Sequence, residues 1–297
     1  MKGENIKVKN IQEKQIKQFL KIVKKALKED IGRGDITTDP IVDQNEQALG
    51  TIFPKQDGIL CGIEIAQMIF KELDEKIDFQ IKLNDGDNLS PGMTIATIIG
   101  PASVCLKGER TALNFLQHLS GIATLTRKFV DATKGSVKIL DTRKTVPGLR
   151  IMEKYAVRTG GGHNHRFGLY DMVLIKDNHI EIAGSITKAV AKVRKRRKKA
   201  FVEVEIKTFE ELNKALSLKI NRVMLDNMSV NQIKQAVEII RQANPDMEIE
   251  LSGSMNLSNI KEFSGCGVDF ISVGALTHSA PAIDIAMKLK PLGQCEP

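Results

Sequence analysis

The amino-acid sequence predicts an α/β protein: an incomplete (β/α) barrel preceded by an N-terminal α+β sandwich-like domain. Three observations carry that expectation. Six short apolar runs recur in the second half of the chain, mostly with helical patterns between them. Between Gln47 and Ala102 the runs are short and punctuated by turn residues, the signature of β-structure. One long helical pattern separates the two textures. Six βα repeats in a row favour a barrel over an open sheet, and a count short of eight makes it incomplete.

The elements follow in order. Ile16, Phe19, Leu20, Val23 and Leu27 recur at helical spacing from Glu13 to Asp30, with Gly32 as a stop. After the polar turn GRGDITTDP come ALGTIF, GILCG, DFQIKL and MTIATIIG, divided by DG, DGD and SPG turns, with a helix near Glu64–Leu73. SPGMTIATIIG has the shape of a lipoyl-type hairpin, but its turn carries no Lys for a swinging arm. From Glu109 the chain reads as a single helix ending at Gly135. The apolar runs are then VKIL (137–140), MVLI (172–175), FVEVEI (201–206), RVML (222–225), EIEL (248–251) and FISVG (270–274). Ser185, Thr208 with Glu211, and Ser229 mark helix starts between them. The expected domains are 1–115, with the tail 280–297 packed on it, and 116–279 as the barrel.

Composition narrows the partners. A net charge of +8, from 44 Lys+Arg against 36 Asp+Glu, suits nucleic acid, anionic lipid or small polyanions. The absence of Trp and scarcity of Tyr speak against a base-stacking platform. Lys outnumbers Arg 32 to 12, yet half of the Arg residues fall between Arg110 and Arg166. A planar guanidinium fork grips carboxylate and phosphate in a way that an ammonium does not. The basic run KVRKRRKK (192–199) sits where a helix ends, where cations complement the macrodipole, and no nucleic-acid-binding motif accompanies it. Cys61, Cys105, Cys266 and Cys295 are scattered, without zinc or redox spacing. MKGENIKVKN has no apolar core of a signal peptide and no run is long enough to span a bilayer, so a cytoplasmic protein is expected.

In a βα barrel, chemistry gathers at the C-terminal ends of the strands. VKIL is followed by Arg143 and Lys144, and MVLI by Lys176 and His179. Glu205 ends VEVEI, Asp226 follows RVML, and Ser252, Gly253 and Ser254 follow EIEL. Gly274 and His278 follow FISV, and Arg166 lies in the loop before MVLI. Cations, two carboxylates on successive strands and a small-residue phosphate cradle suit one carboxylate-bearing and one phosphorylated substrate. The carboxylates are candidate Mg²⁺ ligands. His163, His165 and His179 cluster around GGGHNHRFGLYDMVLIKDNH. A zinc site on H-x-H conflicts with the neighbouring cations, and the Gly160–Gly162 run suits close approach of backbone to a ligand.

These residues resemble a known family. DTRKTVPGLR, GGGHNHRFGLYDMVLIKDNHI, VEVE, MLDN, LSGS and SVGALTHSAPAIDI, with EDIGRGDITT and GERTALNFLQHLSGIATLT, are similar to quinolinate phosphoribosyltransferases over almost the whole chain. The resemblance implies that quinolinate and phosphoribosyl pyrophosphate give nicotinate mononucleotide, pyrophosphate and CO2, with Mg²⁺ present. It also implies a homodimer or a hexamer built as a trimer of dimers. By the same resemblance Arg143, His165, Arg166 and Lys176 would line the quinolinate site, with Arg110 reaching in from a partner subunit. Lys144 would hold the pyrophosphate, and Glu205 and Asp226 would stand near the ribose and Mg²⁺. Ser252, Gly253 and Gly274 would hold the 5′-phosphate, with Ser254 and His278 nearby and His179 on the same rim. Two neighbouring readings are a molybdenum-transport-associated barrel of the same fold and a nicotinate-specific phosphoribosyltransferase, whose monocarboxylate needs fewer cations.

Overall fold

The computed structural model describes residues 13–292. The N-terminal MKGENIKVKN, read above for a leader, and Cys295 lie outside the described residues. In chain order the elements begin with α1 (Glu13–Ile31), α2 (Thr38–Ile41), β1 (Gln47–Pro54), β2 (Gly58–Ile59), α3 (Ile63–Leu73), β3 (Asp78–Ile81), β4 (Asn88–Leu89), β5 (Ala96–Pro101) and α4 (Ala102–Ala132). They continue with β6 (Lys138–Leu140), α5 (Arg150–Thr159), β7 (Val173–Ile175), α6 (Asp177–Ala183), α7 (Ile186–Arg196), β8 (Val202–Ile206) and α8 (Phe209–Leu216). The remainder are β9 (Arg222–Asp226), α9 (Val230–Ala243), β10 (Glu248–Ser252), α10 (Ile260–Ser264), β11 (Phe270–Ser272), α11 (Ala275–His278) and β12 (Ile285–Pro291).

The chain divides into two compact units. One comprises Met1–Arg127, Val146–Gly161 and Ala280–Pro297; the other comprises Lys128–Thr145 and Gly162–Ser279.

The first unit is built on an antiparallel sheet in the order β12-β1-β5-β3. Alternation along β1 buries Ala48, Gly50, Ile52 and Pro54, so one face packs inward. β12 comes from the far end of the chain and pairs with β1 in the register Ala48↔Pro291 to Pro54↔Ile285. α1 turns Phe19, Val23 and Leu27 to the core, and Phe19 meets the ring of Tyr155 edge-on at 5.8 Å. The long helix α4 starts seven residues before the expected Glu109, directly from the end of β5. Its Gly121 lies against the returning chain, where a Cβ would sit 2.2 Å from the Pro281 carbonyl oxygen.

The second unit holds a six-stranded parallel sheet in the order β6-β11-β10-β9-β8-β7. All six expected apolar runs become these strands. They run parallel because helical crossovers return the chain to the same edge each time. Among the described residues no pairing joins β6 to β7, so the barrel stays open between them. The helix starts read from the sequence are present. Ser185 Oγ accepts the Lys188 N–H, and Thr208 and Ser229 form reciprocal capping boxes with Glu211 and Gln232.

The basic run 192–199 forms the last turn of α7 and the loop after it. Arg194 donates to the carbonyls of Lys219 and Ala200, both at 2.7 Å. No helix among the described residues is long and apolar enough to cross a membrane.

Candidate active site

Most of the candidate residues lie just after the C-terminal ends of the parallel strands. After β6 the chain carries Arg143 and Lys144, both exposed. Thr277 Oγ1 donates to the Lys144 carbonyl at 2.6 Å, which ties the β6 loop to α11. A Cβ on Gly274 would come within 3.1 Å of Lys144 Cδ and 3.2 Å of His278 Nε2, so these three residues adjoin.

After β7, Lys176 forms a very short ion pair with Glu205 at the end of β8. The Glu205 side chain is 7% exposed and that of Lys176 is 43% exposed, so the carboxylate is buried beneath a solvent-facing ammonium. His179 is exposed and faces back along its own helix, its Nδ1 accepting the Lys176 backbone N–H at 3.0 Å. Asp226 ends β9, with its Oδ2 accepting from Asn227 Nδ2 at 3.0 Å.

Asn227 and Gly253 form a strained corner at the ends of β9 and β10. Asn227 has φ +53° and Gly253 has φ +145°, and Asn227 N–H donates to the Ser252 carbonyl at 3.0 Å. A Cβ on Gly253 would lie 2.8 Å from Asn227 Oδ1. Glycine is therefore required there for both dihedral and space, as at sites where backbone must approach a ligand. Ser254 is exposed just beyond it.

The loop holding His165 and Arg166 is organised by residues that motif reading did not single out. Buried Asp141 accepts from Asn164 Nδ2 at 2.6 Å and from the His165 backbone N–H at 2.9 Å. Asp171 accepts the Phe167 and Gly168 backbone N–H groups at 2.5 and 3.0 Å. Burial raises the Asp171 carboxyl pKa, but those two amides outweigh it and hold the group below its ordinary value. Arg166 is half-buried, with Nη1 donating to the Met172 carbonyl at 3.2 Å. Burial and then the nearby Arg143 charge lower its pKa, opposed by Glu203 and Asp171. Two guanidinium groups close enough to repel are what a dianion requires.

Beneath Arg166 lies a buried cluster. His165 Nε2 is 3.2 Å from Glu203 Oε2 and 3.3 Å from Glu250 Oε2. Both carboxylates are 0% exposed. Glu250 also accepts from Arg222 Nη1 at 3.0 Å and from Ser272 Oγ at 2.5 Å. Burial, then the Glu250 charge, pushes the Glu203 carboxyl up. Burial disfavours a charged His165 ring, but the two carboxylates outweigh it and lift its pKa to about 9. The Arg166 backbone N–H at 2.7 Å from Nδ1 opposes a second ring proton there. One proton is thus retained within the cluster, shared between ring and carboxyl. Glu203 and Glu250 interrupt apolar strands at every second position, in V-E-V-E-I and E-I-E-L; that alternation is the signal that would have found them.

Arg110 lies in the other unit, exposed on α4.

Two family models match in sequence. Residues 35–120 match the N-terminal domain of quinolinate phosphoribosyl transferase, and residues 122–288 match its C-terminal domain. The chain belongs to the quinolinate phosphoribosyltransferase family. A probable nicotinate-nucleotide pyrophosphorylase (carboxylating) of Synechocystis is 43% identical over 265 residues, covering 89% of this chain and 90% of that protein. Its counterpart from Bacillus subtilis is 42% identical over 272 residues, covering 91% and 93%. The crystal structure of NadC from Streptococcus pyogenes superposes with a TM-score of 0.90 at 42% identity, covering 96% of this chain and 99% of that one. This quinolinate phosphoribosyltransferase family member therefore shares fold and domain order with its relatives over nearly its full length.

Proposed function

We propose that the protein transfers the phosphoribosyl group of phosphoribosyl pyrophosphate to the ring nitrogen of quinolinate, releasing pyrophosphate and CO2 and forming nicotinate mononucleotide. This is a pentosyl transfer that supplies NAD biosynthesis. The observation that carries the reading is the rim itself. Arg143 and Lys144 follow β6 and Lys176 follows β7, at the strand ends that also carry Glu205, Asp226 and the Ser252–Gly253 corner, and Arg166 lies in the loop before β7 within reach of the Arg143 charge. Few substrate pairs need this many cations beside two carboxylates and a small-residue turn.

Each residue has a task in this reading. Arg143, Arg166 and Lys176 hold the two quinolinate carboxylates, with His165 behind them. Arg110 joins them from a partner subunit in a homodimer or a hexamer. Ser252, Gly253 and Gly274 receive the 5′-phosphate through backbone groups, with Ser254, His278 and His179 around it. The ribose–pyrophosphate bond breaks as positive charge builds at the anomeric carbon, which the Glu205 and Asp226 carboxylates favour. Lys144 stabilises the departing pyrophosphate. The ring nitrogen then carries positive charge, and the C2 carboxylate leaves as CO2 with its electron pair remaining on C2 beside that nitrogen, where a proton from water forms the C2–H bond of the product.

The carboxylates of Glu205 and Asp226 offer only oxygen donors, on adjacent strands, which suits Mg²⁺. Because Lys176 already occupies Glu205, the ion would be held through Asp226, water and substrate phosphates. When bound, Mg²⁺ would neutralise charge on the pyrophosphate oxygens. We place the reaction in the cytoplasm, where the buried free thiols of Cys61, Cys105 and Cys266 stay reduced.

The test is direct. Purified protein with quinolinate, phosphoribosyl pyrophosphate and Mg²⁺ is expected to form nicotinate mononucleotide, and omission of any one abolishes it. A folded sample that forms none, or that prefers nicotinate, overturns the reading. Two measurements check the shared site: specific activity is expected to fall on dilution, and mixing inactive Arg143→Ala with inactive Arg110→Ala protein is expected to regain activity.

A further inference from the structure

The parallel sheet buries more charge than the rim chemistry uses. Glu203 and Glu250 lie two residues before Glu205 and Ser252 on the same faces of β8 and β10, so they form a deeper layer beneath the site. Taking two carboxylates out of water costs several kcal/mol each, and a well-packed apolar pair would be at least as stable. The alternate positions of the same strands hold Val204, Ile206, Ile249 and Leu251, so these strands do supply apolar core wherever polarity is not needed.

The cluster has a direction. His165 Nε2 points into the sheet between the two carboxylates, while Nδ1 accepts the backbone N–H of Arg166 at 2.7 Å. That amide assigns Nδ1 as an acceptor and leaves the ring proton on Nε2, where Glu203 and Glu250 are close charge contacts whose geometry is not that of a hydrogen bond. Arg222 and Ser272 in turn fix Glu250 from β9 and β11. A chain of contacts therefore runs from the sheet interior through His165 to the backbone of Arg166. The Glu203 charge also acts on the Arg166 guanidinium, against its repulsion from Arg143.

We propose that Glu203 and Glu250 are positioning residues: they lock the His165 ring with Nε2–H turned inward and thereby fix Arg166 for a substrate carboxylate. The inference rests on the proposed role of Arg166 in binding the dicarboxylate. His165, Glu203 and Glu250 also have the donor set of a small metal site, their ligand atoms lying within 4.8 Å of one another. The geometry favours the relay over the metal. A cation at Nε2 would displace the ring proton to Nδ1, against the Arg166 N–H, and would add charge beside Arg222.

The experiment compares wild type with Glu203→Gln and Glu250→Gln, which keep shape and remove charge. Steady-state kinetics are expected to show the quinolinate KM raised roughly tenfold, the scale of one lost close charge contact. The phosphoribosyl pyrophosphate KM should stay near wild type, and Glu203→Asp should restore part of the loss. In wild-type protein labelled with ¹⁵N-histidine, the His165 Nε2–H should appear as a slowly exchanging proton, lost in Glu203→Gln. An unchanged quinolinate KM, or equal rises in both KM values, overturns the proposal. So does a His165 ring protonated at Nδ1 alone, or stoichiometric metal in the purified protein that His165→Ala abolishes. If a glutamine variant does not fold, the wild-type NMR spectrum still decides the ring's orientation. If wild type makes no product, the activity reading fails, while the ring spectrum independently reports whether the carboxylates hold His165.

Discussion

At the residue scale the rim separates binding from turnover. The Arg143 charge acts on the Arg166 guanidinium, and in the proposed reaction a dicarboxylate relieves that repulsion more than a phosphate held elsewhere on the rim does. Arg143→Ala is expected to raise the quinolinate KM by about tenfold or more and to change the phosphoribosyl pyrophosphate KM much less. Equal losses for both substrates, measured by varying each in turn, would remove Arg143 from the quinolinate site. Glu205 is different, because it is buried beneath Lys176, and in the proposed reaction its carboxylate favours the positive charge at the anomeric carbon. Glu205→Ala should lower kcat by roughly a hundredfold, in line with the loss of one electrostatic stabiliser. Single-turnover rates check it, and an unchanged rate would limit Glu205 to restraining Lys176.

Individual elements show where local preference yields to packing. α4 would gain about 1 kcal/mol of helix propensity from Gly121→Ala. The Pro281 carbonyl oxygen, however, would lie 2.2 Å from the new Cβ. Moving that segment disturbs the Ile283 N–H bond to the Gln117 carbonyl and the Gln117 Nε2 bond to the Ile285 carbonyl. Overpacking against backbone costs on the order of 1–3 kcal/mol, so the variant is expected to be less stable despite better propensity. Urea denaturation decides the sign. The capping boxes of α8 and α9 and the strands β6 to β11 were legible because Ser, Thr, Glu and apolar runs act locally. α5 and α6 were not. α5 buries Glu153 and Lys154 along with its apolar residues, which breaks the expected periodicity, and α6 buries nothing at all. Glu153 is buried because it accepts from Val146 N–H and pairs with His118 on α4, contacts from distant parts of the sequence.

For the whole molecule, the buried cluster predicts a pH dependence of stability. Glu203 and Glu250 lift the His165 pKa from 6.5 to about 9 in the folded protein, so between those values the folded cluster holds a proton that the unfolded state has lost, shared between ring and carboxyl because Nδ1 accepts the Arg166 N–H. The stabilisation is complete below about pH 6.5 and disappears as pH rises through about 9. The midpoint of urea denaturation should therefore fall between pH 6.5 and 9, and His165→Gln should flatten that slope. A wild-type midpoint independent of pH over this window would show that the cluster holds no extra proton.

By itself the sequence determined the six parallel strands, the helix starts, the family and the cast of rim residues. Each of these is written in nearest-neighbour terms: periodicity, caps, and charged residues placed just after apolar runs. Only the tertiary structure decided which of those residues touch. It pairs Lys176 with Glu205, sets Gly274 against Lys144 and His278, and turns His165 inward onto Glu203 and Glu250. The reason is physical. A glutamate in V-E-V-E-I reads the same whether it meets water, a magnesium ion or a buried imidazole, and that choice is made by residues brought together from four separate strands and a loop.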